Sequence, residues 1–236
     1  MHFFRIVVFL GLLVFGAGAR AEKPKAFFFK PSAGSGPFPV AVWLHGYRGY
    51  SPAGYVPGET EAAFQKQADA LGAVIIGFPG TTDLGDGTQQ WSEEPVADHA
   101  YIQDRLKAME APLNLDLKRV GLFGFSEGGM MAADLASRYP AAYRGAIVMS
   151  AGGIKAPRPV TVRDPLHQQQ VYFCLCGADE APGNVGLTKL YAQMAELLGA
   201  KATLHLYPGV SKHARPPDFM EKFPEWMGKI LGTEKR

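Results

Sequence analysis

Gly124-Phe125-Ser126-Glu127-Gly128 sets a serine in a G-x-S-x-G spacing. In a chain with 28 glycines the pattern alone is weak evidence, and its setting is what gives it weight. The apolar run Val120-Gly121-Leu122-Phe123 leads into it and Met130-Met131-Ala132-Ala133 leads out with helical character, so Ser126 falls on a strand-to-helix turn. A turn that tight crowds its neighbours, which glycine on both sides relieves. It also sets the hydroxyl at a helix N-terminus, whose dipole favours developing negative charge. A serine hydroxyl is a poor nucleophile near neutral pH until a positioned base takes its proton. Six histidines are on offer. His2 lies in the N-terminal leader, His45 ends an early strand, His99 sits in a helix, His167 precedes a strand and His205 lies inside one. His213 alone follows the last strand, in the loop that runs from Pro208 to Pro216.

The elements that must carry these residues alternate along the chain. Apolar, β-branched runs predict strands at 26–30, 39–44, 73–78, 120–125, 145–150, 171–176 and 203–207. Apolar residues at helical intervals predict helices at 61–71, 96–109, 127–139, 187–198 and 218–231. Buried strands alternating with helices make an α/β fold, a mostly parallel sheet with helices on both faces. In such sheets the chemistry belongs in loops at the carboxyl ends of the strands. Ser126 and His213 both meet that condition, and so do the adjacent carboxylates of Cys176-Gly177-Ala178-Asp179-Glu180.

Several stretches together resemble the α/β-hydrolase superfamily: Leu44-His45-Gly46-Tyr47, Trp91 followed by Asp98-His99-Ala100-Tyr101-Ile102, Arg119-Val120-Gly121-Leu122, and the Ser126 turn. Within the superfamily the chain looks most like small carboxylesterases and secreted polyhydroxybutyrate-depolymerase-like and feruloyl-esterase-like enzymes. The resemblance covers nearly all of the chain beyond the leader. It implies an α/β-hydrolase fold without a large lid domain, Ser126 as nucleophile, His213 as base and a structural role for His45. It further implies an oxyanion hole made by the backbone N–H groups of Tyr47 and Glu127. For the acid that orients the base there are two candidates. Relatives often carry Gly-x-x-Asp, which by strict counting selects Glu180; a turn one residue shorter selects Asp179. Asp179 is favoured for its shorter side chain, with Glu180 the alternative. The chain order of serine, acid and histidine is then that of the superfamily.

Composition narrows the partners. Twenty-four basic residues against 22 acidic ones give a formal charge of +2, with no basic surplus for nucleic acid. Arg5, the apolar run 6–15 and Ala19-Arg20-Ala21 have the layout of a signal peptide over residues 1–21, too short to suit a lasting membrane span. Its removal leaves residues 22–236 as a single α/β-hydrolase domain, near neutral and exported to the periplasm or beyond. Cys174 and Cys176, with one residue between them, sit at the edge of bridging range and are expected as buried thiols. The stretch 81–87 faintly resembles a calcium loop but lacks the ligand spacing of an EF-hand, and no metal or organic cofactor is expected. Trp91 is a candidate substrate contact, core packing being the alternative. The Pro-containing loop 151–168 is the best place for a small cap. The expected function is cleavage of a small-molecule or oligomeric carboxylic ester through an acyl-enzyme. A serine peptidase or acyltransferase on the same scaffold, and a non-catalytic hydrolase-like binding module, are the alternatives.

Overall fold

The structure, a computed structural model, describes residues 26–49, 61–92, 94–153, 160 and 162–234. Its strands are β1 (Phe27–Phe29), β2 (Phe38–Leu44), β3 (Val74–Gly77), β4 (Thr82–Asp83), β5 (Gln89–Gln90), β6 (Leu115–Phe125), β7 (Gly145–Met149), β8 (Val171–Gly177) and β9 (Lys201–Tyr207). Its α-helices are α1 (Glu61–Leu71), α2 (Pro95–Leu113), α3 (Glu127–Arg138), α4 (Pro182–Leu198) and α5 (Phe219–Leu231). Seven strands form one sheet in the order β1-β3-β2-β6-β7-β8-β9, while β4 and β5 form a small separate hairpin. Only β1 runs antiparallel to its neighbour; every other pairing in the large sheet is parallel.

The strand patterns explain why both faces are covered. Along β2 every residue is buried, with Val40, Val42 and Leu44 in one apolar cluster and Ala41 and Trp43 in the other. Tyr172 and Cys174 of β8 face the first cluster, Phe173 and Leu175 the second. Helices α2, α3 and α4 close the first face, and α1 and α5 close the second. This division follows from the handedness of parallel connections. The chain steps outward from β2 to β3 by way of α1, then returns through α2 to β6 and proceeds the other way through α3 and α4. Reversing the direction of travel transfers the crossover helix to the opposite face. The reversal occurs between β2 and β6, where a doubly wound sheet leaves a crevice at its carboxyl edge. Both candidate loops, after Leu44 and after Phe125, open onto that crevice.

Element types agree with the sequence patterns and several boundaries differ. Helix α4 begins at Pro182 instead of residue 187, because Gly183 and Gly186 weaken the helical pattern in its first turns. Strand β6 reaches back to Leu115, through polar residues whose pairing with β2 shifts register between Phe38 and Val40. Helix α2 runs on to Leu113 despite Pro112, and Asn114 caps it in the left-handed region. The leader at 1–21 and the middle of the expected cap, 154–159 and 161, lie outside the described residues. The described end of that cap segment is a 3-10 turn, Pro165–Gln169, tied through His167 Nε2 to the Ser137 carbonyl (2.9 Å) at the far end of α3. No large lid is present among the described residues. None of the described helices is long and apolar enough to cross a membrane.

Helix α3 approaches the central strands closely enough to exclude a side chain. A Cβ on Gly128 would lie 2.0 Å from the Leu44 carbonyl oxygen, and one on Gly124 would lie 2.2 Å from the Gly128 carbonyl oxygen. Both obstacles are backbone, so neither yields by a side-chain rotation. Gly128→Ala is therefore expected to cost about 3 kcal/mol or more, read as a lowered urea midpoint, whereas Gly183→Ala, with open space around it, leaves the midpoint unchanged or raises it.

Candidate active site

Ser126 stands where β6 becomes α3. Its backbone has φ 58° and ψ −122°, a region that L-residues enter only under constraint, at a cost of about 1–3 kcal/mol. The constraint is visible: the Ser126 N–H donates to the Met149 carbonyl at the end of β7 (3.0 Å), and its carbonyl accepts from Met130 within α3 (3.1 Å) and from Gly152 (3.2 Å). Held on three sides, the residue projects into a cavity of about 730 Å³. Trp43, the loop His45 to Gly49, Phe125, and the segment His213 to Pro217 also line this cavity.

His213 reaches the cavity from the loop after β9. Its ring packs on Phe125, the neighbour of Ser126, with centroids 4.6 Å apart. Its Nδ1–H donates to Glu180 Oε2 at 2.9 Å. The carboxylate is thus Glu180, and the expectation that favoured Asp179 is corrected. Asp179 is exposed and turned away, its Oδ2 accepting the Gly209 N–H at 2.8 Å. Ala178 and Asp179 also donate their N–H groups to the Tyr207 and Val210 carbonyls, at 2.9 and 3.2 Å. Asp179 therefore fastens the turn after β8 to the turn after β9, and the next residue is left to point inward at His213.

The Glu180 side chain is fully buried, yet it is well supplied with donors. Oε1 accepts from Ser150 Oγ (2.7 Å) and the Gly177 N–H (3.3 Å); Oε2 accepts from His213 and from Asn184 Nδ2 (3.2 Å). Burial pushes the carboxyl up and is the largest single influence. The hydrogen bonds from His213, Ser150, Asn184 and Gly177 outweigh it together and hold the group below its ordinary value. Ser150 takes up this role from a strained position of its own, with φ 45° at the end of β7.

Tyr47 and Glu127 flank Ser126 from two directions. Tyr47 is exposed on the cavity wall, in a turn closed by the Gly49 N–H to the Gly46 carbonyl (2.9 Å). An Arg48–Asp86 ion pair ties that turn to the loop between β4 and β5. Glu127 is the first residue of α3, at the positive end of its dipole, and its side chain is buried. Beneath the turn, His45 is buried with Nδ1–H donating to the Gly46 carbonyl (2.7 Å), and burial lowers its pKa to about 4, so the ring is neutral.

Trp91 does not line the cavity, and its expected contact with substrate is corrected. It is completely buried, lies tilted against the His45 ring and donates Nε1–H to the His45 carbonyl at 2.9 Å. It holds the His45 turn from below. The other described histidines have partners of their own: His99 stacks on Tyr139, His167 bonds to the end of α3 and His205 stacks on Tyr207. In the stretch 81–87, Asp83 and Asp86 accept hydrogen bonds from the N–H groups of Gly85 and Thr88, as ordinary turn residues do. Among the described residues no group of three His, Cys, Asp or Glu side chains is arranged to hold a metal ion. Ser150 and Asn184 went unremarked in the sequence. Asn184 carried a faint signal, lying four residues beyond Glu180 at the entry to a helix.

With this geometry in view, the comparisons with known proteins are specific. The phospholipase/carboxylesterase family profile matches residues 90–231, more than half of the chain. The chain belongs to the phospholipase/carboxylesterase family. It is accordingly an α/β-hydrolase of the carboxylic ester hydrolase type. Among solved structures, a carboxylesterase from Bacillus cereus is 19% identical, with a TM-score of 0.64 over 89% of this chain and 96% of that one. Esterase PE8 is 18% identical, with a TM-score of 0.65 over 89% of this chain and all of that one. An acylaminoacyl peptidase from Pyrococcus horikoshii is 15% identical, with a TM-score of 0.64, but the match covers only 40% of its chain. At these identities the likeness is one of fold. A search of curated proteins finds no match.

The buried carboxylate has a consequence for stability. A group whose folded-state pKa lies below its unfolded value contributes stability above the unfolded pKa and loses it as pH falls through the folded one. The thermal midpoint is therefore expected to fall as pH drops from 5 towards 3. Glu180→Gln should lower the midpoint at pH 7 and make its acid dependence shallower; a slope equal to that of the parent protein would rule out this contribution.

Proposed function

We propose that this chain is an exported carboxylic ester hydrolase that works through an acyl-enzyme on Ser126, with His213 as base and Glu180 as the acid that orients it. The observation that carries the reading is the shared cavity: a serine on a strained strand-to-helix turn and a histidine whose Nδ1 is held by a buried carboxylate line the same space. With Nδ1–H committed to Glu180, the lone pair of Nε2 is left for the serine proton. Ser126 Oγ attacks the ester carbonyl as His213 takes its proton, and Glu180 stabilises the imidazolium without itself being protonated. The oxyanion is received by the backbone N–H groups of Tyr47 and Glu127. The alcohol departs with the proton from His213, and water, activated by the same imidazole, releases the acid.

The substrate is a small-molecule or oligomeric ester. The cavity is bounded by Trp43, Phe125, Phe219 and Met220 on its apolar side, with Arg48 and Arg215 also in its wall. The layout of Arg5, the apolar run and Ala19-Arg20-Ala21 supports export. Neither a peptidase nor a binding-module reading has an observation of its own to favour it.

Three experiments test the reading. Ser126→Ala is expected to abolish hydrolysis of p-nitrophenyl acetate while leaving the melting temperature intact, and residual turnover near the parent rate would sink the nucleophile assignment. Glu180→Gln should lower kcat by about 100-fold or more and Asp179→Asn by less than about fivefold, and the reverse order would return the role to Asp179. For export, the protein recovered outside the cytoplasm is expected to begin at Glu22, as an intact mass measurement would show; retention of residues 1–21 would refute cleavage.

A further inference from the structure

Around Glu180 Oε2 the structure places two donors instead of one. Asn184 Nδ2 lies 3.2 Å from Oε2 and 3.0 Å from His213 Nδ1, and Nδ1 lies 2.9 Å from Oε2. The three atoms form a nearly equilateral triangle. Nδ1 cannot donate to Oε2 and accept from Asn184 at once, since it has a single in-plane site. The arrangement is therefore one oxygen accepting from two nitrogens. The amide cannot be turned over, because Asn184 Oδ1 would then face a carboxylate oxygen at hydrogen-bond distance. The backbone has left room for this orientation: a Cβ on Gly152 would lie 2.6 Å from Asn184 Oδ1, and the Gly152 N–H donates to the Ser126 carbonyl. Nor is the amide used to start α4, whose N-cap is Ala181 with no side-chain cap and whose first turn opens on Pro182.

We propose that Asn184 is a positioning residue: its amide pins Glu180 Oε2 opposite His213 Nδ1 and divides the negative charge of that oxygen between two donors. The inference rests on the hydrolase reading above and goes beyond it in assigning a fourth side chain to the site. Held by Asn184 on one oxygen and by Ser150 and Gly177 on the other, the carboxylate cannot swing away when His213 moves towards the substrate. The second donor also keeps Glu180 from committing its full charge to the imidazole, which sets how readily His213 releases the proton to the leaving alcohol. Of the other titratable and charged groups, Cys176 of β8 lies against Glu180 and Arg215 shares the cavity wall with His213, while Asp179 is turned away to Gly209. The Cys176 thiol is pushed up by burial and by the Glu180 carboxylate, so it stays neutral.

The test compares Asn184→Leu, which keeps the bulk and removes the donor, with Asn184→Asp, which keeps the shape and adds a charge. With p-nitrophenyl acetate as substrate, Asn184→Leu is expected to lower kcat about tenfold with KM within about twofold, and to slow labelling of Ser126 by a fluorophosphonate to the same degree. In Asn184→Asp an oxygen takes the donor's place beside Glu180 Oε2, and the two carboxylates hold one proton between them; that proton supplies the donor at low pH and is lost as pH rises, so kcat/KM is expected to fall on the alkaline side, where the parent holds its plateau. A merely structural residue would change neither kcat in Asn184→Leu nor the alkaline side of the profile in Asn184→Asp at unchanged melting temperature. Parent kcat in Asn184→Leu overturns the proposal, and so does a parent-like pH profile in Asn184→Asp. Should the leucine variant fail to fold, the pH profile of the aspartate variant decides alone. Ser126→Ala, run in parallel, separates the two levels: an active Ser126→Ala overturns the hydrolase reading and this inference with it, whereas an inactive Ser126→Ala beside parent-like Asn184 variants overturns this inference only.

Discussion

The close crossing of α3 over β2 and β6 governs the rest of the molecule. At Gly124 and Gly128 backbone meets backbone with no space for a side chain, so the chain turns from strand into helix within a single residue. That residue is Ser126, and its positive φ is the geometric remainder of the turn. The strain, about 1–3 kcal/mol, is offset because α3 buries nearly its whole length, from Glu127 to Ser137, between the sheet and its neighbouring helices. A hydroxyl held by that much packing needs little reorganisation before it reacts. Stability and chemistry are thus served by one constraint.

The opposite wall of the site is built on a different principle. There an ionised carboxylate is taken out of water and repaid with four hydrogen bonds, drawn from the end of β7, the end of β8, the first turn of α4 and the loop after β9. These segments also bond to one another directly, through the Ser150 N–H to the Leu175 carbonyl and the Ala151 N–H to Thr188 Oγ1. Sharing one carboxylate makes them a single rigid rim, and the bonds between the turns at 177–180 and 207–210 complete it. His213 is therefore positioned by four elements although only one of them carries it.

What the sequence made legible follows from range. Strand and helix types, the turn at Ser126 and the place of His213 after the last strand depend on local patterning, and β2 or α3 can be recognised from a dozen residues. The choice between Asp179 and Glu180 depends instead on a bond to Gly209, thirty residues away, which rotates the turn by one position. Side-chain length, the criterion that favoured Asp179, was the wrong one, because the turn decides which residue faces inward. Trp91 misled for a related reason: a tryptophan after a strand end is equally suited to a cavity wall and to bracing one from beneath, and only the approach of the His45 carbonyl distinguishes them. Ser150 and Asn184 belong to no motif. Their roles exist only once β7 and α4 have been brought beside Glu180.

Cys174 and Cys176 lie on one face of β8, both buried and both free, and they are the only two cysteines of the chain. Burial raises the Cys174 thiol to about 12 and shifts Cys176 upward as well, so at neutral pH neither offers the thiolate that exchange or peroxide chemistry requires. Among the described residues the native fold therefore stands on packing and hydrogen bonds without a disulfide. A reducing environment has no bond between these two strand neighbours to break.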